Sequence, residues 1–574
     1  MSRQLIDKYH QRLAAEAGAH QHPWADRYRI ALVYPNSYHQ AMSNLGFQTV
    51  YQLLNQRDDC LCERFFLPDP EDLLEHQRSG FPLLSLESQR PLLDFDLIAF
   101  SISFENDYLH LPTLFALSGL PLFADERTAE QPLILLGGVC AFLNPEPLAE
   151  IVDLIAVGEA EPILPQLLAA LTTGSADRQT LLQTLAALPG IYVPSLYTVK
   201  YQADGTVASI NRHRSAPMAV KREFLADLDS SASRSYLQTD ATEFGDMALA
   251  EVSRGCSRGC RFCAAGYIYL PPRERSLGNL LEQVDTGLCE RQKIGLVGAA
   301  VADHSQIEAL QQGILDRGGK ISVSSLRLDA LTASEVAGLR ASGLRTAAIA
   351  PEAGSQRLRE LINKGLNEEQ ILHAVQLLAE GEILNLKLYF LIGLPTETQA
   401  DLDELVQLAE KIRLLWRDAG RQRGRLGNVT LSVNPFIPKP FTPLQWCGMD
   451  PESSLKKKLR FLHAAIGRMP NTELISESLR AAVLQAFLSR ADRRVGRLLP
   501  QLSAGGNLKQ LCRKSGIDVD FYVTRERDEI EIFPWELINQ GIRRDYLWQE
   551  YQRALQGKFT PRCAAGCSRC GVCG

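Results

Sequence analysis

The chain has no long apolar run. None of its 574 residues falls in a stretch approaching the roughly twenty apolar positions that a membrane helix needs, so no membrane partner is expected. Its opening, Met1-Ser-Arg-Gln-Leu-Ile-Asp-Lys8, is charged from the start and lacks the apolar core of a secretory leader. A dominant charge is missing too. Lys and Arg number 61 against 67 Asp and Glu, and the resulting net charge of −6 gives no global argument for nucleic acid or a lipid surface. A disulfide frame is also excluded. Of thirteen cysteines, seven lie in two tight clusters, which read as metal ligands in a reducing, cytoplasmic compartment. The other six (Cys60, Cys62, Cys140, Cys289, Cys447 and Cys512) are scattered and expected to be ordinary core or surface thiols.

What is present is concentrated in Glu251-Val-Ser-Arg-Gly-Cys256-Ser-Arg-Gly-Cys260-Arg-Phe262-Cys263. Three thiols spaced C-x3-C-x2-C behind an apolar run can hold three corners of a four-iron cluster. Cluster irons normally take four thiolates, so one corner stays open to a small molecule, and open coordination marks catalysis. Zinc is the rival reading. It usually takes two ligand pairs, and no second pair lies nearby.

These residues resemble the radical S-adenosylmethionine (radical SAM) superfamily, whose signature is C-x3-C-x2-C with an aromatic, here Phe262, before the last cysteine. The resemblance implies a [4Fe–4S] cluster on Cys256, Cys260 and Cys263, with SAM on the open iron. It also implies an electron donor such as flavodoxin or ferredoxin, and reductive cleavage of SAM to a 5′-deoxyadenosyl radical.

An α/β chain of three parts is expected. After an N-terminal helical segment (1–25), residues 26–175 alternate apolar runs with helix-length segments. Ile30–Tyr34, Asp96–Phe100, Pro132–Leu136 and Asp153–Val157 read as buried parallel strands. In such a doubly wound, Rossmann-like sheet, ligands sit beyond the carboxyl ends of the strands. The loops there hold Ser101, Ser103, Gly137, Gly138, Gly158 and Glu159. This part resembles the cobalamin (B12)-binding domain often fused ahead of a radical SAM core, and these six residues are the cofactor-binding candidates that the resemblance implies. The cobalt-ligating D-x-H-x-x-G pattern is absent: Ser37 and Met42 stand where its aspartate and glycine belong, leaving His39 without an orienting carboxylate. Residues 176–245 read as a small β extension and linker.

Over 246–450 six further strand–helix units fit a partial (β/α)6, TIM-like barrel, with strands expected at Met247–Val252, Ile294–Val297, Lys320–Ser324, Thr346–Ala350, Leu386–Ile392 and Val429–Val433. A helix is expected over Asp401–Trp416, with Thr396 a fair N-cap. The family resemblance makes the carboxyl-end residues Gly298, Ser324, Arg327, Glu352 and Gly393 candidate SAM contacts, although the usual Gly-Gly-Glu after the second strand is reduced to Gly298. Ala350-Pro-Glu352-Ala-Gly-Ser and Asn363-Lys-Gly resemble radical SAM proteins related to methylthiotransferases. An internal Glu352–Arg327 ion pair is the plainer reading of those two charges.

A mainly helical region (451–560) follows, and the chain ends in a cysteine tail (561–574). There Cys563, Cys567, Cys570 and Cys573, spaced C-x3-C-x2-C-x2-C, nearly mirror a ferredoxin run. Four thiolates suit a second iron–sulfur cluster or a zinc ion. Basic stretches at 413–425, 456–460 and 490–497 allow an RNA footprint, but solvated helix faces are the commoner explanation. The expected function is radical SAM chemistry, with cobalamin-dependent methylation of an unactivated carbon as one outcome. The alternatives are a methylthiotransferase-like RNA-modifying enzyme without cobalamin, and a non-catalytic iron–sulfur redox or RNA-binding factor.

Overall fold

The computed structural model describes residues 3–173, 177–323, 326–329, 331–564 and 566–573. They form two compact units, one of residues up to 248 with 487–519 and 530–541, the other of 249–486, 520–529 and 542 onward.

The first unit is built on a six-stranded sheet. Its strands are β1 (Tyr28–Tyr34), β2 (Cys60–Phe66), β3 (Leu97–Ser101), β4 (Leu133–Gly137), β5 (Leu154–Ala156) and β6 (Ile191–Tyr192). Their spatial order is β2-β1-β3-β4-β5-β6, parallel up to β5 and closed by the antiparallel β6. Four of these are the expected apolar runs, because a sheet covered on both faces needs near-continuous hydrophobic strands. One core packs Ile30, Leu32, Cys62, Leu97 and Leu135 against Phe47, Tyr51, Leu164 and Leu167 of the helices Leu45–Asn55 and Ala160–Thr172.

Strand β2 was not expected. Its charged pair Glu63-Arg64 breaks the hydrophobic pattern, yet all seven residues are buried. Arg64 is neutralised inside: its guanidinium lies 2.6 Å from Glu16 and 2.6 Å from Glu87, all three side chains at most 1% exposed. A buried guanidinium is tolerated only when it is paired and hydrogen-bonded, and two carboxylates meet that condition. Cys60 and Cys62 are core thiols, as expected. The segment expected as extension and linker contains the helix Arg178–Leu185 and a hairpin of Tyr197–Tyr201 with Val207–Arg212.

The second unit carries β7 (Ala248–Glu251), β8 (Lys293–Val297), β9 (Lys320–Val323), β10 (Thr346–Glu352), β11 (Asn385–Ile392), β12 (Val429–Pro435) and β13 (Thr472–Ile475). All six expected strands are present, and β13 is an additional one. They form two sheets, β7-β8-β9 and β10-β11-β12-β13, so the barrel is partial. In β10 and β11 buried and half-exposed residues alternate, as required when helices cover one face and the other lines an open interior. The helix expected from Asp401 runs from Gln399 to Gln422. Its cap is Thr398, in a capping box with Asp401, and not Thr396, which sits at φ +64° in the preceding turn.

Candidate functional site

The loop bearing Cys256, Cys260 and Cys263 leaves the carboxyl end of β7, where barrel folds gather their functional groups. Local chain chemistry sets its shape. Gly255 adopts φ +83°, and a Cβ there would lie 2.6 Å from the Tyr269 carbonyl oxygen. Cys263 donates its N–H to the Cys260 carbonyl at 3.1 Å, and Gly266 to that of Cys263 at 3.2 Å. All three thiols are half-buried, as is Phe262. Burial raises the pKa of each, that of Cys260 to about 12, and Cys260 and Cys263 each feel the Cys256 thiol.

Arg261, fully buried, anchors the loop from beneath. It donates to the Leu361 carbonyl (2.9 Å), the Lys558 carbonyl (2.5 Å) and Glu550 (3.2 Å). Asn363, in a left-handed conformation at φ +53°, donates to the Gly259 carbonyl at 3.2 Å and to the Thr560 carbonyl at 3.0 Å. It thereby ties the cysteine loop to the tail.

Next to the thiols, Lys364 and Glu352 pair at 3.2 Å. Burial works to lower Lys364, but Glu352 and then the Cys260 thiol outweigh it and leave the ammonium with a raised pKa. Glu352 ends β10 with φ +66°, and a strained non-glycine residue at a strand end costs about 1–3 kcal/mol that the surroundings must supply. Arg327 meets Asp303 at 2.9 Å and Asp329 at 3.0 Å. The plain reading of an internal Glu352–Arg327 pair is therefore corrected: each has its own partner. Arg258, inside the cysteine loop, shares the same carboxylates at 2.8 and 3.2 Å, and Arg562 reaches Asp329 at 2.5 Å. Desolvation opposes ionisation of Asp329, yet its arginines hold it well below the usual carboxylate range.

Gly298 packs where a Cβ would come within 2.9 Å of the Ser253 hydroxyl, so it lets the second strand's end approach the first. Gly393, at φ +75°, donates its N–H to Glu397 at 2.9 Å and serves the turn. Ser324 lies outside the described residues. The sequence reading missed Arg258, Arg261, Asp303, Asp329 and Lys364. The first two interrupt the cysteine motif itself, and that was the available signal.

In the first unit the strand order reverses between β1 and β3, the crevice at which doubly wound sheets take ligands. Asn36 bridges the two loops there, donating to Asp107 at 2.8 Å, and Ser103 accepts from Asn44 at 3.1 Å. Ser101 is buried in register with Gly137. His39 is exposed on the short helix Tyr38–Met42. At two of the cofactor-binding candidates, Gly138 and Gly158, the space beside the glycine is taken by backbone. A Cβ at Gly138 would meet the Ile102 carbonyl oxygen at 2.4 Å, and one at Gly158 the Glu223 carbonyl oxygen at 2.0 Å. Glu159 accepts from the Leu225 N–H at 3.0 Å. These places are filled by the chain's own backbone. A cavity of about 570 Å³ opens at the opposite, amino ends, beside Trp24, Arg29 and Arg178, away from this crevice.

In the tail, burial and the neighbouring thiols raise Cys563 to about 11, while an Arg569 hydrogen bond of 3.2 Å lowers Cys567. Among the described residues no three His, Cys, Asp or Glu side chains close on one point as the ligands of a single ion do. A cube of four irons needs its sulfurs at wider corners, and the two cysteine groups offer the soft donors that such a cube takes. The basic stretches are largely paired internally, as Arg413–Glu410, Lys458–Glu397, Arg493–Glu146 and Arg497–Glu150. Among the described residues no helix is long and apolar enough to cross a membrane.

The chain is 29% identical over 504 residues, 87% of its length and 97% of the relative's, to the uncharacterized protein MJ0966 of Methanocaldococcus jannaschii. Among solved structures it resembles the cobalamin-dependent SAM radical enzyme OxsB with aqua-cobalamin (17% identity, TM-score 0.45), covering 67% of this chain and 52% of that one. It also resembles coproporphyrinogen III oxidase HemN of Escherichia coli (13%, TM-score 0.28; 48% and 79%). Thus the chain spans about half of the first solved structure it matches. Family models for the N-terminal region of radical SAM proteins and for the radical SAM superfamily match residues 46–194 and 250–409, and with the cysteine loop at the carboxyl end of β7 they place this chain in the radical SAM superfamily of enzymes.

Proposed function

We propose that Cys256, Cys260 and Cys263 hold a [4Fe–4S] cluster whose open iron takes SAM, and that the protein cleaves SAM reductively to act on an unactivated C–H bond. The observation that carries this is three half-buried thiols on one loop at the mouth of a partial barrel with an open interior face. When bound, the cluster supplies one electron to the sulfonium. The chain's own groups do the rest. Arg261 and Asn363 fix the loop, Lys364 and Glu352 offer a matched cation and anion for the zwitterionic end of SAM, and the half-exposed face of β10 and β11 lines room for the substrate. Anaerobic incubation of iron-reconstituted protein with SAM and dithionite tests this: 5′-deoxyadenosine is expected, and its absence from protein with an intact cluster overturns the reading. The reading places the protein in a reducing cytoplasm, served by a flavodoxin or ferredoxin. The four tail thiols hold a second metal centre, iron–sulfur or zinc, and metal analysis of a Cys563→Ala/Cys567→Ala variant separates the two.

A second reading adds cobalamin in the first unit and makes methylation of a carbon the outcome. The reversal of strand order between β1 and β3 favours it. With the places of Gly138, Gly158 and Glu159 filled, a corrinoid would rest on the loops after β1 and β3. A corrinoid spectrum in protein from cobalamin-fed cells supports this reading, and protein that ignores added hydroxocobalamin removes it.

A further inference from the structure

The tail does not hang free. Cys563 donates its backbone N–H to the carbonyl of Ser257, the residue beside Cys256, at 2.8 Å. Thr560 donates to Asn363 at 2.9 Å, and Asn363 in turn holds the Gly259 carbonyl of the cysteine loop. Arg562 reaches Asp329, which Arg258 of that loop also holds. One peptide hydrogen bond therefore joins the backbone of Cys563, the first thiol of the tail, to the residue beside Cys256, the first thiol of the loop.

The outer side of this segment differs from the rest of the chain in charge. From Ile542 to the end there are six basic and two acidic residues, in a protein of net charge −6. One of the two acids, Glu550, is buried against Arg261 and Thr560. In the same segment two apolar side chains are exposed, Leu555 at 43% and Phe559 at 61%, with Lys558 exposed between them in sequence and Arg562, whose guanidinium also meets Asp329, exposed three residues on. A cationic rim around apolar contacts attracts an acidic surface.

We infer that the cysteine tail holds a second iron–sulfur cluster and is the electron-entry port, receiving electrons from a small acidic one-electron carrier protein that docks on the Leu555–Arg562 rim. The inference rests on the proposed cleavage of SAM. The reduced carrier loses one electron and the tail cluster gains it. The electron then crosses the Cys563–Ser257 contact to the first cluster and enters the sulfonium C–S bond of SAM, which breaks into methionine and the 5′-deoxyadenosyl radical. No proton moves in these transfers.

The test compares two reductants on anaerobically reconstituted full-length protein, with chemically reduced flavodoxin as the acidic carrier and dithionite as the small reductant. In a Cys563→Ser/Cys567→Ser variant, about half the iron should be lost, and the ratio of flavodoxin-driven to dithionite-driven 5′-deoxyadenosine formation should fall at least tenfold. Lys558→Glu, a surface change that leaves every thiol in place, should raise the flavodoxin concentration for half-maximal rate about threefold to tenfold, and more at low salt. Zinc in place of the lost iron, or an unchanged ratio in both variants, overturns the port. Absence of product with either reductant in the parent protein removes the SAM-cleavage reading itself, so the two failures are distinguishable.

Discussion

The carboxyl ends of the strands serve different ends in the two units. In the first unit the loops after β4 and β5 are closed by the chain's own backbone, with the Ile102 carbonyl at Gly138 and the Glu223 carbonyl at Gly158. In the second unit the same ends keep charge near the surface: Glu352 in a strained conformation, Lys364 beside the thiols, and Arg258 with Asp303 and Asp329. Glycines and small hydroxyl residues at strand ends are compatible with packing alone. A strained, half-buried charge is not, since both the strain and the desolvation must be offset by something. The difference supports the proposal that the second unit, rather than these loops of the first, takes the ligand.

Replacing a thiol at that place should have the largest effect. Cys260→Ala is expected to lower 5′-deoxyadenosine formation by at least about a thousandfold, a barrier change of roughly 4 kcal/mol, with loss of the first cluster's EPR signal. In the first unit, Ser103→Ala should leave that rate within about twofold, because Ser103 accepts one hydrogen bond, from Asn44, worth about 1 kcal/mol. Equal losses from the two changes would erase the contrast.

Next in size is a pure packing effect. At Gly158 a Cβ would sit 2.0 Å from a carbonyl oxygen, with φ at +131°. Gly158→Ala should destabilise the first unit by about 3 kcal/mol, as over-packing does, read as a lower urea midpoint. A fully stable variant would show that the loop is slack and the crevice more open than its contacts indicate.

Glu352→Gln sharpens the other side. It keeps the shape but leaves the Lys364 ammonium without its nearest anion, so SAM cleavage should slow by about tenfold to thirtyfold, or 1.4–2 kcal/mol, with iron content unchanged. A loss of iron instead would make Glu352 a support of the loop and not a contact of the cosubstrate.

Much of this was legible in the residues. The six barrel strands and four of the first unit's strands follow from apolar runs that a buried parallel sheet demands, and the cysteine loop announced its own place. Strand β2 was hidden by Glu63 and Arg64, since a pattern search has no way to know that Glu16 and Glu87, some fifty and twenty residues away, neutralise the arginine. Gly138, Gly158 and Gly393 were read as ligand approaches because a glycine signals only that something comes close, without saying what. Lys364 stands in a quoted Asn-Lys-Gly run, but its pairing with Glu352 depends on the left-handed turn at Asn363 and on the bulge that ends β10. The extra strand β13 lies in a segment whose helical neighbours dominate its pattern.

The smallest effect probes the crevice of the first unit directly. Burial raises Asp107 from 3.8 to about 6, against the lowering influence of the Asn36 hydrogen bond and of His110. The folded state thus binds this proton more tightly than the unfolded chain does, so stability falls as pH rises from about 4 through 6. Most of the remaining loss, about 1 kcal/mol, occurs between pH 5 and 7.5. Asp107→Asn keeps an acceptor for Asn36 and removes the titration. Its stability relative to the parent should therefore rise by about 1 kcal/mol between those pH values, measured as hydrogen-exchange protection of β1 and β3 amides after correction for intrinsic rates. A ligand that engages Asp107 as a carboxylate would reverse the sign in its presence, turning the acid into a stabilising contact at pH 7.5. Adding hydroxocobalamin to both proteins makes that comparison: a gain in protection confined to the parent would mark this crevice as occupied, and identical curves would leave Asp107 as a residue of the chain's own packing.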